Sequence, residues 1–301
     1  METRTLGRTG LTVSRLGIGL AEIGFGLTLN DTDQAGRVLN MALDQGITFL
    51  DTAECYDVSE ELVGRTVAHR RDAFVLATKA GHVSGGYAGE DWTVATLRDS
   101  IDRSLVRLRT DHVDLLQLHS CEVDVLERGD AIRVLQDARQ AGKTRFIGYS
   151  GDNEAAAWAV SSGLFDTLQT SFNVVDQRAR LRLFDRADAR GMGIIAKRPI
   201  ANGAWGAPKA PSEYSADYHQ RGQAMLALGA LPDAGLDRIA LALAFTLAHD
   251  AVDTAIVGTR NPQHAADNIA RVQRGLAIAP ALLRELHRRF DQLDRDWVQL
   301  G

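Results

Sequence analysis

The chain predicts an α/β fold, a (β/α)8 TIM barrel with an N-terminal β-hairpin and a C-terminal helix and tail. Three observations support this: eight short runs of branched or aromatic apolar residues, longer amphipathic stretches between them, and polar residues that close several of the runs. Eight parallel strands close into a barrel whose interior side chains can fill. The 301 residues contain no linker, low-complexity tract or internal repeat beyond the βα alternation, so one domain is expected over residues 1–301.

In chain order, "RTLGRTGLTVS" reads as two short extended pieces around a glycine-containing turn, a hairpin able to plug one barrel end. The barrel strands follow at 16–19, 47–51, 74–78, 113–118, 145–149, 167–171, 193–196 and 254–257. Between them, residues 94–108 place Val94, Leu97, Ile101, Leu105 and Leu108 on one helical face, with arginines and aspartates opposite. Residues 33–45 repeat that pattern behind the N-cap candidates Asn30 and Asp31 and stop before Gly46. Further helices fit near 59–68, with Ser59 as N-cap, and near 127–141, 153–162, 180–190, 236–249 and 262–273. Residues 199–233, with several Gly and Pro, read as a long functional loop.

A net charge of -5, with 34 basic and 39 acidic side chains intermixed, supplies no basic stripe, so neither nucleic acid nor an anionic membrane is an expected partner. No apolar run reaches the roughly 20 residues of a membrane span, and the N-terminus lacks an apolar signal core; a soluble, cytoplasmic protein is expected. The two cysteines, Cys55 and Cys121, are too few for a disulfide scaffold. Cys55 is read as a pocket-wall residue rather than a nucleophile, since no histidine stands beside it in sequence.

Barrel active sites lie at the carboxyl ends of the strands, so polar residues terminating apolar runs are the ones to collect. Asp51 ends "ITFLD", Tyr56 follows it, Lys79 ends "FVLATK" and His119 ends "VDLLQLH". An ammonium beside a phenol favours its charged form and so makes tyrosine a better proton donor. Lys79 can supply that ammonium, Asp51 can hold it, and His119 can hydrogen-bond to the phenol or to a substrate oxygen. The four make a general acid for a developing alkoxide.

With these residues in place, the sequence resembles the aldo-keto reductases, nicotinamide-dependent carbonyl reductases built on this barrel. The likeness runs from "LGRTGLTVSRLGIG" through "FLDTAECYDVSEELVG", "LATKAG" and "DLLQLHS" to "AIVGTRNPQHAADNIA". It implies a tetrad of Asp51, Tyr56, Lys79 and His119 with Tyr56 as proton donor, a small-molecule carbonyl substrate, and NADPH as cofactor, with NADH possible. In the last loop Gly258, Thr259 and Arg260 fall where a 2'-phosphate is bound, with His264 nearby, and Asp267 and Asn268 fall near the adenine. Ser150 and Gln169 resemble the pair that holds the nicotinamide carboxamide.

Departures stand out: some members carry a lysine where Gly258 stands and an arginine where His264 stands, so the phosphate grip would rest on Arg260, Thr259 and His264. Gly151 follows Ser150 where many members have asparagine, leaving Asp152 and Asn153 as alternatives, and Lys197 stands where many members stack an aromatic. Lys197 and Arg198, with Asn202, either approach the pyrophosphate or, for Lys197, pair with an acid. Substrate-pocket candidates are Phe25, Ile23, Trp92, Trp205, Tyr214, Tyr218 and Trp297, since ligand pockets are largely apolar and aromatic. Alternative functions are an NAD(P)-dependent alcohol or sugar dehydrogenase running in reverse, and a cofactor-sensing regulatory subunit.

Overall fold

Each predicted apolar run forms a strand, and the strands assemble in sequence order. The computed structural model describes residues 1–85, 88–232, 235–295 and 297–300. β1 (Thr3–Thr5) and β2 (Thr12–Ser14) pair antiparallel as the expected hairpin. Eight parallel strands follow: β3 (Leu16–Gly19), β4 (Phe49–Asp51), β5 (Val75–Ala80), β6 (Val113–His119), β7 (Thr144–Ser150), β8 (Thr167–Ser171), β9 (Gly193–Lys197) and β10 (Thr254–Gly258). β10 pairs with β3, Ile256 opposite Gly17, and closes the barrel.

The interior explains why the functional end is open and the other shut. Leu6, Leu11 and Val13 of the hairpin pack against the inward-facing Phe49, Ala77, Leu115, Ile195 and Ile256. Gly17 makes room for Phe49, because a Cβ there would lie 2.9 Å from the ring. Asp253 ties the plug down: its Oδ2 accepts from the backbone N–H of Gly7 at 3.1 Å and of Ile194 at 2.9 Å. Among the described residues the hairpin closes one barrel end, and the carboxyl ends of the strands stay open.

The helices lie outside. In the helix Val94–Leu108 the residues Leu97, Ile101 and Leu108 are buried while Val106 faces solvent, and the Thr93 side chain caps its first turn. Among the described residues no helix is long and apolar enough to cross a membrane.

Several local expectations are corrected. Ser59 is the first residue of the helix Ser59–Thr66 rather than its cap; its hydroxyl donates to the Leu20 carbonyl at 3.2 Å and pairs with Thr52 Oγ1 at 2.7 Å. Of the two N-cap candidates Asp31 occupies the N-cap of the helix Thr32–Asp44, but its carboxylate makes no cap bond there; it accepts from Thr28 N–H and Oγ1 and closes the short turn Leu29–Asp31 that contains Asn30. The stretch near 127–141 breaks at Gly129, in the left-handed region at φ 73°, into Val123–Arg128 and Asp130–Gln140. That near 180–190 divides into Arg178–Arg182 and Phe184–Asp188. The expected long loop contains a helix, Ala216–Leu226, whose buried Tyr218 and Met225 anchor it; its flanking Gly and Pro residues obscured the periodicity. The helix Pro280–Leu293 precedes the C-terminal segment.

Candidate active site

All eight barrel strands deliver a residue to one cavity of about 940 Å³. Gly19, Asp51, Lys79, His119, Ser150, Gln169, Lys197 and Gly258 line it from the strand ends. Tyr56 reaches it from the loop after β4, Phe25 from the helix Ala21–Gly26, and Arg198, Asn202 and Tyr214 from the segment after β9.

The centre is a buried ion pair. Lys79 Nζ donates to Asp51 Oδ2 at 2.7 Å and to the Thr52 carbonyl at 2.8 Å, with both charged side chains almost wholly shielded from solvent. Burial works against the ammonium, but Asp51 and Tyr56 more than offset it, and the Lys79 pKa is raised. A buried pair is useful only when its remaining hydrogen-bonding capacity is met. Gln117 Nε2 donates to Asp51 Oδ1 at 3.2 Å and Gln169 Nε2 to Asp51 Oδ2 at 3.0 Å, while Gln117 also donates to Gln169 Oε1 at 2.8 Å. Gln117 was not among the sequence candidates. Its signal was a polar residue inside "VDLLQLH", two positions before His119 and therefore on the same face of the strand.

Lys79 Nζ lies 5.0 Å from the centroid of the Tyr56 ring. Burial nevertheless raises the phenol above its ordinary value, with Lys79 pulling the other way. The direction is opposite to that expected from the ammonium alone, and the phenol is protonated at neutral pH. The His119 ring meets Tyr56 edge-on at 5.8 Å between centroids. Burial first, then Lys79, His82 and Lys197, hold its pKa well below the usual histidine range, so the imidazole is neutral.

Cys55, expected in the pocket wall, lies outside the cavity lining and packs behind His119 instead. Its Sγ stands 3.5 Å from His119 Nδ1, and burial pushes the thiol up to about 11, which leaves a weak hydrogen-bonding partner for the ring rather than a thiolate nucleophile. Trp92 locks the other side, its indole N–H donating to the His119 carbonyl at 2.9 Å. Trp92 thus stands behind His119 and outside the cavity lining. Trp205 is likewise displaced from the expected pocket: it is 3 % exposed and packs in the core beside Gly222. Ile23 is a core residue, the Tyr218 hydroxyl donates to the Leu300 carbonyl, and Trp297 packs on Phe290. Phe25 remains at the mouth, 5.5 Å from the Tyr56 ring.

The departures at Gly151 and Lys197 have physical causes. A Cβ at Gly151 would lie 2.4 Å from the Tyr149 hydroxyl, which is fixed by donating to the Cys121 carbonyl at 2.7 Å. Asparagine cannot fit there. Lys197 pairs with an acid, its Nζ 2.9 Å from Asp152 Oδ2, and at the same time lines the cavity. Burial lowers the lysine pKa, against the pull of Asp152; Asp152 is itself lowered, Lys197 and hydrogen bonds outweighing its own burial. Asn153 turns away toward Gln299, accepting from its backbone N–H at 2.9 Å.

At the last loop, Arg260 lines the cavity and donates to the Gly26 carbonyl; among the described residues it forms no ion pair. Gly258 stands opposite Gly19 in register, leaving bare backbone at the rim. Thr259, His264, Asp267 and Asn268 lie outside the lining. Thr259 Oγ1 accepts from Asn261 N–H, Asp267 accepts from Gln263, Asn268 is buried and His264 is exposed.

A barrel mouth that brings together a phenol, a buried lysine–aspartate pair and a histidine holds groups that can move a proton. The model of the Aldo/keto reductase family matches residues 15–278, and the chain belongs to that family; it is an oxidoreductase of a family that uses nicotinamide cofactors. It is 30% identical over 284 residues to L-galactose dehydrogenase of Arabidopsis thaliana, covering 90% of this chain and 88% of that protein. It is also 30% identical to 6-dehydroglucose reductase of Novosphingobium aromaticivorans, covering 88% of each. Among solved structures, the holo form of an aldo-keto reductase from Bacillus halodurans superimposes with a TM-score of 0.83 at 26% identity, over 96% of both chains.

The mouth suits such a nucleotide. Asn202 Nδ2 is buried in the cavity wall with no hydrogen-bond partner among the described residues, and Lys197, Arg198 and Arg260 concentrate positive charge on one side. Those are the groups an anionic, amide-bearing ligand needs.

Proposed function

We propose that the protein reduces an aldehyde or ketone to an alcohol with NADPH, Tyr56 supplying the proton. The observation that carries this reading is the Tyr56 phenol lining the cavity with Lys79 Nζ 5.0 Å from its ring centroid and that lysine held by Asp51. When bound, the nicotinamide supplies the hydride. Ser150, Gln169, Lys197, Arg198, Asn202 and Arg260 would hold the cofactor, with the 2'-phosphate assigned to Arg260 because its planar donors suit a phosphate.

The side chains divide the remaining work. The substrate carbonyl oxygen takes its proton from the Tyr56 hydroxyl as negative charge develops there. Lys79, held charged by Asp51, favours the phenolate that remains. Neutral His119 polarises the same oxygen without adding a competing charge. Gln117 and Gln169 keep Asp51 from turning away from Lys79. Phe25 offers an apolar wall at the entrance.

A second reading, oxidation of a sugar or other alcohol, is favoured by the relatives named for sugar dehydrogenation and sugar reduction. The same residues serve it, with the Tyr56 phenolate accepting the proton.

The test is an assay of purified protein against aldehyde and sugar panels with all four nicotinamide nucleotides. Tyr56→Phe is expected to lose turnover by about 10²–10⁴-fold while still binding NADPH. Arg260→Ala is expected to narrow the NADPH-over-NADH preference by about tenfold, the loss of one charge-assisted phosphate contact. Full turnover in Tyr56→Phe removes the proton-donor role; an unchanged preference in Arg260→Ala removes the phosphate assignment.

A further inference from the structure

The backbone of residues 298–300 is held almost entirely by side chains from other parts of the fold. The Val298 carbonyl accepts from Arg221 Nη2 at 2.7 Å, and the Gln299 N–H and carbonyl pair with the Asn153 side chain at 2.9 and 3.1 Å. Leu300 N–H donates to Asp176 Oδ2 at 2.9 Å; its carbonyl accepts from Ser171 Oγ and the Tyr218 hydroxyl, each at 3.1 Å, and from Arg198 Nη1.

The side chain of Gln299 goes further. It is 4 % exposed, its Oε1 accepts from Asn153 N–H at 3.0 Å, and its Nε2 donates to Thr170 Oγ1 and the Ser171 carbonyl at 3.0 Å and to Asp152 Oδ1 at 3.3 Å. Asp152 Oδ1 also accepts from Thr170 Oγ1 at 2.8 Å and Ser171 N–H at 2.7 Å, while its Oδ2 accepts from Ser171 Oγ at 3.0 Å and pairs with Lys197. The carboxylate is therefore fixed on one oxygen by Gln299 and the β8 end, and on the other it fixes the cavity lysine. Arg198, the next cavity cation, is fixed by the Leu300 carbonyl and the Tyr214 hydroxyl.

We propose that residues 298–300 form a strap that positions the cations Lys197 and Arg198 for the cofactor, Gln299 acting through Asp152 and Leu300 through its carbonyl. The proposal rests on the nicotinamide-nucleotide reading of the site. Gln299 is a positioning residue: it lies outside the cavity lining and reaches the ligand only through groups it holds. A glutamine suits this place because its amide donates to a carboxylate that must stay charged toward lysine, whereas a glutamate would set two carboxylates side by side.

The test is fluorescence titration of the full-length protein with NADPH and with NADH, alongside thermal melts and steady-state kinetics. Gln299→Ala is expected to weaken NADPH binding about tenfold and raise the cofactor KM in step, with kcat at saturating cofactor within about twofold. Lys197→Met should weaken binding comparably, and the double variant should be little worse than either single one, as coupled residues require. Asn153→Gly cuts both ties to the Gln299 backbone and relieves the positive φ of 55° at that residue, but leaves the Asn153 N–H bond to Gln299 Oε1 and the ties at Val298 and Leu300, so it loosens the strap without altering Gln299. It should reproduce part of the loss.

A lowered melting temperature with unchanged nucleotide binding in both Gln299→Ala and Asn153→Gly overturns the proposal and leaves the strap a structural element. A double variant whose loss is the product of the two single losses overturns the route through Asp152. Wild-type protein that binds neither nucleotide overturns the functional reading and this proposal together; wild-type binding with unshifted variants overturns this proposal alone.

Discussion

Tyr56 combines two opposing influences: burial that keeps its proton on and a lysine whose charge favours releasing it. The net direction upward makes the resting group a loaded acid, which suits carbonyl reduction, where the protonated form is the active one. For alcohol oxidation the phenolate is active, and its population grows with pH. Reduction, followed as kcat/KM, is therefore expected to be flat from about pH 6 to 9 and to fall only above the ordinary phenol range of ~10, while oxidation rises through the same interval. Lys79, raised by its partners, stays charged throughout and contributes no break. Initial rates in both directions with a constant-ionic-strength buffer check this; a reduction profile that falls with a midpoint near 7 assigns proton delivery to another group. Asp51, Tyr56, Lys79 and His119 were legible in the sequence because a polar residue after an apolar run marks a strand end. The partners Gln117 and Cys55 were not, since their contacts join β6 to β4 and β8, or a loop to β6, across 52 to 66 positions of chain.

At the scale of the element, the loop carrying Tyr56 is gripped by its neighbours rather than by its own sequence. The helix Ala21–Gly26 lies so close that a Cβ at Gly24 would stand 2.1 Å from the Tyr56 carbonyl oxygen and 2.9 Å from Ser59 Cβ. Gly24→Ala forces the two apart, so it is expected to destabilise the protein by about 1–3 kcal/mol and, on the proposed function, to lower kcat by displacing Tyr56. Thermal melts and single-turnover rates check this; an alanine variant matching wild type in both shows that the contact is slack. Helix 94–108 was readable from its apolar stripe, whereas the helix Ala216–Leu226 was missed and Ser59 was misplaced as a cap. In the latter case a buried hydroxyl pair with Thr52, a tertiary contact, replaced the local hydrogen bond that the sequence suggested.

For the whole molecule, the barrel carries buried carboxylates whose ionisation opposes folding. Glu60 is 1 % exposed and accepts from Thr78 Oγ1 at 2.6 Å; burial pushes its carboxyl from 4.5 up to about 7. A raised acid pKa means that between pH 4.5 and 7 the folded chain holds a proton that the unfolded chain has released, so this group's contribution to stability falls as pH rises through that window. Glu60→Gln retains an acceptor for Thr78 and removes the titration. The variant should melt close to wild type near pH 5 and a few degrees higher near pH 8. Asp176, also raised to about 7 by burial, keeps part of the slope. Calorimetry across that range checks it, and an unchanged slope in the variant locates the pH dependence elsewhere.

The sequence by itself determined the eight-strand barrel, the hairpin before it and the strand ends at which chemistry sits, because strand periodicity and run length are local properties that every residue of a run reinforces. It also placed Arg260 in the last loop. Only the tertiary structure decided where the charges are spent. Lys197 pairs with Asp152 at the cavity wall, Trp92 and Trp205 are withdrawn from the cavity, Gly151 is required by the Tyr149 ring, and residues 298–300 are tied to Asp152 and Arg198. Each of these depends on a partner far away in sequence, and no local pattern records which distant group will satisfy a buried donor or acceptor.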